Sequence, residues 1–248
     1  MARIRLPSSP GPRVTLGQAP REKRRGAGLL PGLLAGAALL LGAAETAIAK
    51  DLPVARVRFE QNATDGDVEV VFDAKGGREG LAKLTVVSPD GRTVIDFRAP
   101  DASTLGIRQF EFESPEPKDV AGLKAAYPEG EYRFTAETVS GEALTGAATL
   151  SHALPPTAGF VHPAQDAEGV PLPLEIRWQT PPGLKSVILE IENDDLDVRF
   201  ETTLPADASS FRAPDGFFLP GTEYDLAIGT VSPAGNISFV ETSFTTAE

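Results

Sequence analysis

Leu219-Pro220-Gly221-Thr222-Glu223-Tyr224-Asp225-Leu226-Ala227-Ile228-Gly229-Thr230-Val231 decides how the rest of the chain is read. Tyr224, Leu226 and Ile228 alternate with Asp225, Ala227 and Gly229. A strict period of two means a strand with one face in a core. The preceding Pro220-Gly221 is a turn, and Pro233-Ala234-Gly235-Asn236 is another directly after the strand.

Working outward, the same pattern recurs. Leu174, Ile176 and Trp178 alternate with Glu175, Arg177 and Gln179, and Val187, Leu189 and Ile191 with Ile188, Glu190 and Glu192. Farther upstream Val68, Val70 and Phe72 follow it with a break at Val71, then Phe110 and Phe112, then Tyr132, Phe134, Ala136 and Thr138. Turn signals separate these runs at Ser88-Pro89-Asp90-Gly91, Pro181-Pro182-Gly183 and Pro214-Asp215-Gly216. Many short strands with turns between them predict an all-β fold of antiparallel sandwiches. One helix of two turns is expected over Asp119 to Ala126, as a crossover between strands.

Two sandwiches are expected rather than one. Ala153-Leu154-Pro155-Pro156-Thr157 ends a strand and stiffens a linker. It divides residues 50–153 from residues 154–248, each about the size of an immunoglobulin-like domain. Pro128-Glu129-Gly130-Glu131-Tyr132 and Pro220-Gly221-Thr222-Glu223-Tyr224 both place a Tyr four residues after a Pro, and the two tyrosines lie 92 residues apart. That spacing is one domain repeat.

At these residues the second half, roughly 157–248, resembles a fibronectin type III domain. Trp178 stands where that family places its core Trp on an early strand, and Leu219 to Tyr224 resembles its tyrosine corner. The resemblance implies structural roles for Trp178, Pro220, Gly221, Tyr224 and, in the first half, Tyr132. Gly235-Asn236 is similar to a turn of the family, and Ser243-Phe244-Thr245-Thr246 to its closing strand. The first half has no Trp. Its Lys83 to Gly91 stretch resembles a hairpin of a bacterial immunoglobulin-like module, so it is read as immunoglobulin-like or type III-like.

Residues 1–49 precede the fold. Lys23-Arg24-Arg25 ends a basic region, Gly26 to Ala44 carries no charge, and Ala47-Ile48-Ala49 sets small residues before Lys50. Basic, apolar, then small-x-small is the order of a secretory signal peptide cut before Lys50, with an uncleaved membrane anchor as the competing reading. Arg24-Arg25 resembles an incomplete twin-arginine signal. Either way the body is expected to be exported, periplasmic or extracellular, as in a secreted bacterial protein. A lipid-anchored lipoprotein is excluded because the chain has no Cys.

Composition removes whole classes of chemistry. The 41% hydrophobic fraction supports a packed core. Without Cys there is no disulfide framework, thiol nucleophile or cysteine metal site. The 2 histidines, His152 and His162, flank the linker and are read as surface residues; they cannot build a three-histidine metal site. No Gly-x-Ser-x-Gly elbow and no phosphate-cradling Gly loop is present. Residues 1–49 carry a net +5, which leaves −17 for residues 50–248 of a chain whose total is −12. So acidic a body repels nucleic acid.

What remains is a short set of candidates. Glu192-Asn193-Asp194-Asp195-Leu196-Asp197 is the densest acidic run, and Asp194, Asp195 and Asp197 are the candidate calcium ligands. The opposing reading is a solvated turn. Asn62 to Asp67 is a second polar loop, and Asn62-Ala63-Thr64 and Asn236-Ile237-Ser238 are glycosylation sequons that matter only in a eukaryotic secretory pathway. Phe217-Phe218 and the segment from Phe200 to Phe211 offer an aromatic platform for sugar, against core packing. The resulting expectation is an exported, non-catalytic protein-interaction or spacer module without catalytic residues or cofactor. Its partner is expected to be an envelope or extracellular protein. The alternatives are a carbohydrate-binding accessory module of the envelope that meets a glycan, and a calcium-stiffened stalk. Membrane contact is expected only through an uncleaved leader.

Overall fold

In a computed structural model of the chain, residues 49–99, 101, 105–115, 117 and 119–248 are described, so the expected leader lies outside them. The fold is nearly all β, two sandwiches in tandem. The first contributes β1 (Lys50–Asp51), β2 (Val54–Asn62), β3 (Asp67–Lys75), β4 (Leu81–Val87), β5 (Thr93–Arg98), β6 (Gln109–Glu113), β7 (Gly130–Thr138) and β8 (Ala143–Leu150). The expected crossover helix is α1 (Val120–Ala126), between β6 and β7. Asp119 caps it by accepting from the Gly122 N–H, which satisfies a donor the first turn leaves open.

The second sandwich contributes β9 (Gly159–His162), β10 (Ala167–Val170), β11 (Glu175–Gln179), β12 (Ser186–Asn193), β13 (Val198–Pro205), β14 (Ser210–Arg212), β15 (Glu223–Val231) and β16 (Ile237–Thr246). Its smaller sheet runs β14-β11-β9, and the smaller face of the first sandwich is β2-β3-β6. The first sandwich's larger sheet runs β1-β8-β7-β4-β5.

Each sandwich has its own core. In the first, Phe59, Val70, Leu84, Tyr132 and Phe134 meet, all within 1% of full burial. In the second, Ile176, Trp178, Leu189, Ile191, Tyr224 and Phe244 meet. The alternating residues quoted above supply both cores, since the pleat sends every second side chain inward. On β3 the alternation fails: Glu69 and Val71 are buried along with Val70 and Phe72. Both faces of that strand are covered, which explains the break read at Val71.

The sheets do not stop at the linker. β16 pairs with β15 from Ile237 to Thr245 on one edge, and its other edge is shared. β10 takes the far end, at Phe244 and Thr246, and β2 of the first sandwich takes the near end, pairing in parallel at Ile237↔Glu60, Ser238↔Gln61 and Phe239↔Asn62. One sheet, β13-β12-β15-β16-β2-β3-β6 with β10 beside β16, therefore runs through both sandwiches. An open edge on β16 would have been a template for foreign strands; here it is closed from within the chain. The described residues belong to one compact unit. Among the described residues no helix is long and apolar enough to cross a membrane.

Candidate functional site at the junction of the sandwiches

Thr230 on β15, Asn236 in the following turn and Ser238 on β16 hold the junction. Asn236 ends that turn with 1% of its surface exposed. Its Oδ1 accepts from the Phe59 N–H at 2.9 Å, and its Nδ2 donates to the carbonyls of Ser151 at 2.7 Å and Ala153 at 3.0 Å. Ser238 Oγ donates to the Pro155 carbonyl at 2.8 Å and accepts from Gln61 Nε2 at 2.8 Å. Thr230 Oγ1 donates to the Pro156 carbonyl at 2.8 Å. Three short polar side chains thus bind four carbonyls between Ser151 and Pro156. Prolines bring no N–H of their own, so Pro155 and Pro156 demand only donors, which hydroxyls provide.

Backbone contacts continue the seam. The Ala63 N–H donates to the Phe239 carbonyl at 2.9 Å, and Thr64 Oγ1 accepts from the Glu241 N–H at 2.7 Å. Phe59–Asn236, Gln61–Ser238 and Thr64–Glu241 all join residues 177 apart, the constant offset of a parallel register. Nothing in local periodicity announces such an offset. The signals that existed were the buried-type Asn in a turn and the Ser-Thr content of two otherwise apolar strands.

His152 departs from the expectation of a surface histidine. Only 12% of its side chain is exposed, and its ring packs 5.1 Å from the Phe59 ring. Its Nε2 lies 2.8 Å from the Tyr127 carbonyl, and its backbone N–H donates to Glu129 Oε1. Asn236 binds the carbonyls on either side of it, so the histidine is locked into the seam. The burial of Asn236 also removes it as a glycosylation acceptor, because its amide is fully engaged. His162, half-buried, ends β9.

The face of the continuous sheet beside the seam is acidic. Glu190 stands opposite Glu201 on β13 and opposite Ala227 on β15, whose other partner is Glu241. Burial pushes the Glu190 carboxyl up to about 7, and the neighbouring charges of Glu201, Glu192, Glu60 and Glu241 push the same way. Arg199 pairs with Glu192, and Arg58 pairs with Glu60 and Asp73. Phe239 lies across Gly229, where any Cβ would meet the ring at 2.6 Å.

The expected structural residues fall into two corners. Tyr132 OH donates to the Pro128 carbonyl at 3.0 Å, and Tyr224 OH accepts from the Leu219 N–H at 3.0 Å. Pro220 has no N–H, so the donor of the second corner is one residue farther upstream. Gly221 has φ +58 and lies against Glu248, a position that favours glycine on both counts. Trp178 is 2% exposed, and its Nε1 finds no hydrogen-bond partner among the described residues.

Asp194, Asp195 and Asp197 form the turn between β12 and β13, where the Asp197 N–H donates to the Asp194 carbonyl and Asn193 Oδ1 accepts from the Leu196 N–H. Among the described residues no group of three or more His, Asp or Glu is arranged to hold a metal ion. Phe218 is buried edge-on against Tyr224 and Phe244, and Phe200, Phe211 and Phe217 pack on the same core. An open cleft of about 350 Å³ lies at the far end of the second sandwich, between Leu172–Leu174 and Arg212–Phe218.

No family model matches the chain, and no curated protein matches it. Among solved structures, a two-fibronectin type III domain segment from chicken tenascin aligns with 14% identity and a TM-score of 0.29, over 77% of this chain and 97% of that one. The FN1–FN3 domains of chicken CNTN1 align with 14% identity and a TM-score of 0.29, over 78% and 66%. The BSP domain of a biofilm-associated protein aligns with 12% identity and a TM-score of 0.27, over 78% of this chain and 29% of that one.

Proposed function

We propose that the chain is an exported, non-catalytic spacer and interaction module that holds two β-sandwiches at a fixed angle. The observation that supports this reading is the seam. A flexible tether needs no buried amide bound to both sides, whereas a rigid rod does. The sheet shared through β16 and β2 resists bending in its own plane, and the Asn236, Ser238 and Thr230 bonds hold the linker against rotation. Stiffness comes from the chain itself, so calcium is not required for it. The outward loops and the acidic sheet face are then presented in one constant geometry to an envelope or extracellular partner. The acidic charge favours cationic partner surfaces and steers their approach.

The test is an interspin distance. Because the chain has no Cys, Thr135→Cys on β7 and Arg177→Cys on β11, both exposed, label cleanly. A single narrow distance in the full chain is expected. A broad distribution, as from a free linker, would overturn the spacer reading.

A further inference from the structure

The end of the first sandwich remote from the seam gathers three exposed apolar side chains. β1 enters there, pairing Lys50 with Leu144, and three loops meet it: residues 76–80, the stretch around Leu105 to Arg108, and 139–142. The Leu81 and Ile107 backbones bond to each other at 2.8 and 3.1 Å, and the Val139 N–H donates to the Gly80 carbonyl at 3.0 Å. A Cβ on Gly106 would touch Val139 Cγ1 at 2.8 Å. These contacts bring three apolar side chains to one tip, Leu105 with 88% of its surface exposed, Ile107 with 46% and Val139 with 38%. A cluster of this kind at a tip is an interaction signal that isolated surface leucines are not.

Charge distinguishes this tip from the opposite one. Around it Lys50, Lys75, Arg78 and Arg108 match Asp51, Glu79, Asp101 and Glu142 in number. The far end of the second sandwich also exposes leucines, at Leu172, Leu196 and Leu219. There, however, Asp194, Asp195, Asp197, Asp215, Glu223 and Glu248 outnumber the two arginines, Arg199 and Arg212. An anionic lipid surface repels that end and the acidic sheet face, and leaves the neutral tip as the approach it tolerates. The chain also arrives at this tip. Five residues, 45–49, separate Lys50 from the uncharged run 26–44. Fully extended they reach no more than about 18 Å.

We propose that this tip docks on a lipid bilayer, with Leu105, Ile107 and Val139 in the interfacial layer and the leader retained as the tether. Three side chains alone bind a surface weakly; a short tether raises their effective concentration at the bilayer and makes the contact persistent. The proposal rests on the spacer reading above and adds its orientation: the first sandwich at the membrane, the second held away from it.

The experiment uses the full chain reconstituted with vesicles of mixed zwitterionic and anionic phospholipid. An environment-sensitive dye is placed singly at Leu105→Cys, Val139→Cys or Leu196→Cys. The expected result is blue-shifted emission and protection from an aqueous quencher at positions 105 and 139, with water-like emission at 196. Ile107→Asp should remove the protection at 139 while leaving the distance between Thr135→Cys and Arg177→Cys unchanged, which separates loss of docking from loss of the rigid joint. Water-like emission at 105 on vesicles would overturn the proposal. So would a shift that appears without vesicles and grows with protein concentration, since a second copy would then cover the tip. A membrane-extracted chain that begins at Lys50 would overturn it equally.

Discussion

The Asn236 side chain accepts a hydrogen bond from the Phe59 N–H at 2.9 Å, and the same amide donates to Ser151 and Ala153. One residue of the second sandwich therefore closes three backbone groups that belong to the first sandwich and its linker. The bond to Phe59 is buried, so water cannot replace it when the amide is removed, while the two carbonyl bonds are part-buried.

Asn236→Ala leaves the buried Phe59 N–H and two part-buried carbonyls without their partner. The expected loss is about 2–4 kcal/mol, at the high end of single-site effects because several groups are orphaned together. Urea denaturation of the variant should show either a lower midpoint or two separated transitions, one for each core. An unchanged midpoint with a single transition contradicts the role given to Asn236.

The two tyrosine corners should contribute equally despite opposite polarity. Tyr132 gives its proton to Pro128, and Tyr224 receives one from Leu219. Tyr132→Phe and Tyr224→Phe each remove one bond and keep the ring, so each should cost about 1 kcal/mol. Thermal melts of the two variants and the double variant check this. The cores are separate, so the costs should add when the sandwiches unfold together.

Glu190 makes stability depend on pH with an unusual sign for an acid. Its folded value is near 7 against an ordinary 4.5, so between those limits the folded state holds a proton that the unfolded chain has released. Stability from this group is present below about 4.5 and is lost as pH rises through about 7. Glu190→Gln should melt higher than the natural chain at pH 8 and nearly level with it at pH 4.5. Allowing for solvent screening at a half-buried site, the gain is about 1 kcal/mol. Equal melting temperatures at pH 8 would refute it.

Trp178 reports burial rather than binding. Its indole N–H is buried without a partner among the described residues, so Trp178→Phe trades a desolvated donor for a slightly smaller ring. The expected change is within about 1 kcal/mol, far below the usual cost of truncating a core aromatic. Emission from Trp178 should be blue-shifted and insensitive to oligosaccharides; quenching by a sugar would revive a glycan-binding face.

The strands, the turns, the helix at Asp119 and both corners were legible because each depends on residues close in sequence. Tyr224 and Leu219 are five residues apart, and Asp119 caps its own first turn. The seam was not legible, because Phe59 and Asn236 are 177 residues apart and neither carries a local pattern that names the other. Asn236 read as a turn residue and a sequon, and His152 as a linker residue on the surface. Both readings were right about the loop and blind to what packs over it. The acidic face escaped for a related reason: Glu190, Glu201 and Glu241 belong to three strands, and register alone sets them side by side.

The central claim is that both sandwiches move as one body. Backbone ¹⁵N relaxation measured across residues 50–248 tests it most directly, since amides in β7 and in β12 report the tumbling of their own sandwich. The account predicts one shared rotational diffusion tensor, elongated and of the size of the whole unit, and its division into two in Asn236→Ala. Separate, shorter correlation times for the two halves of the natural chain would contradict it.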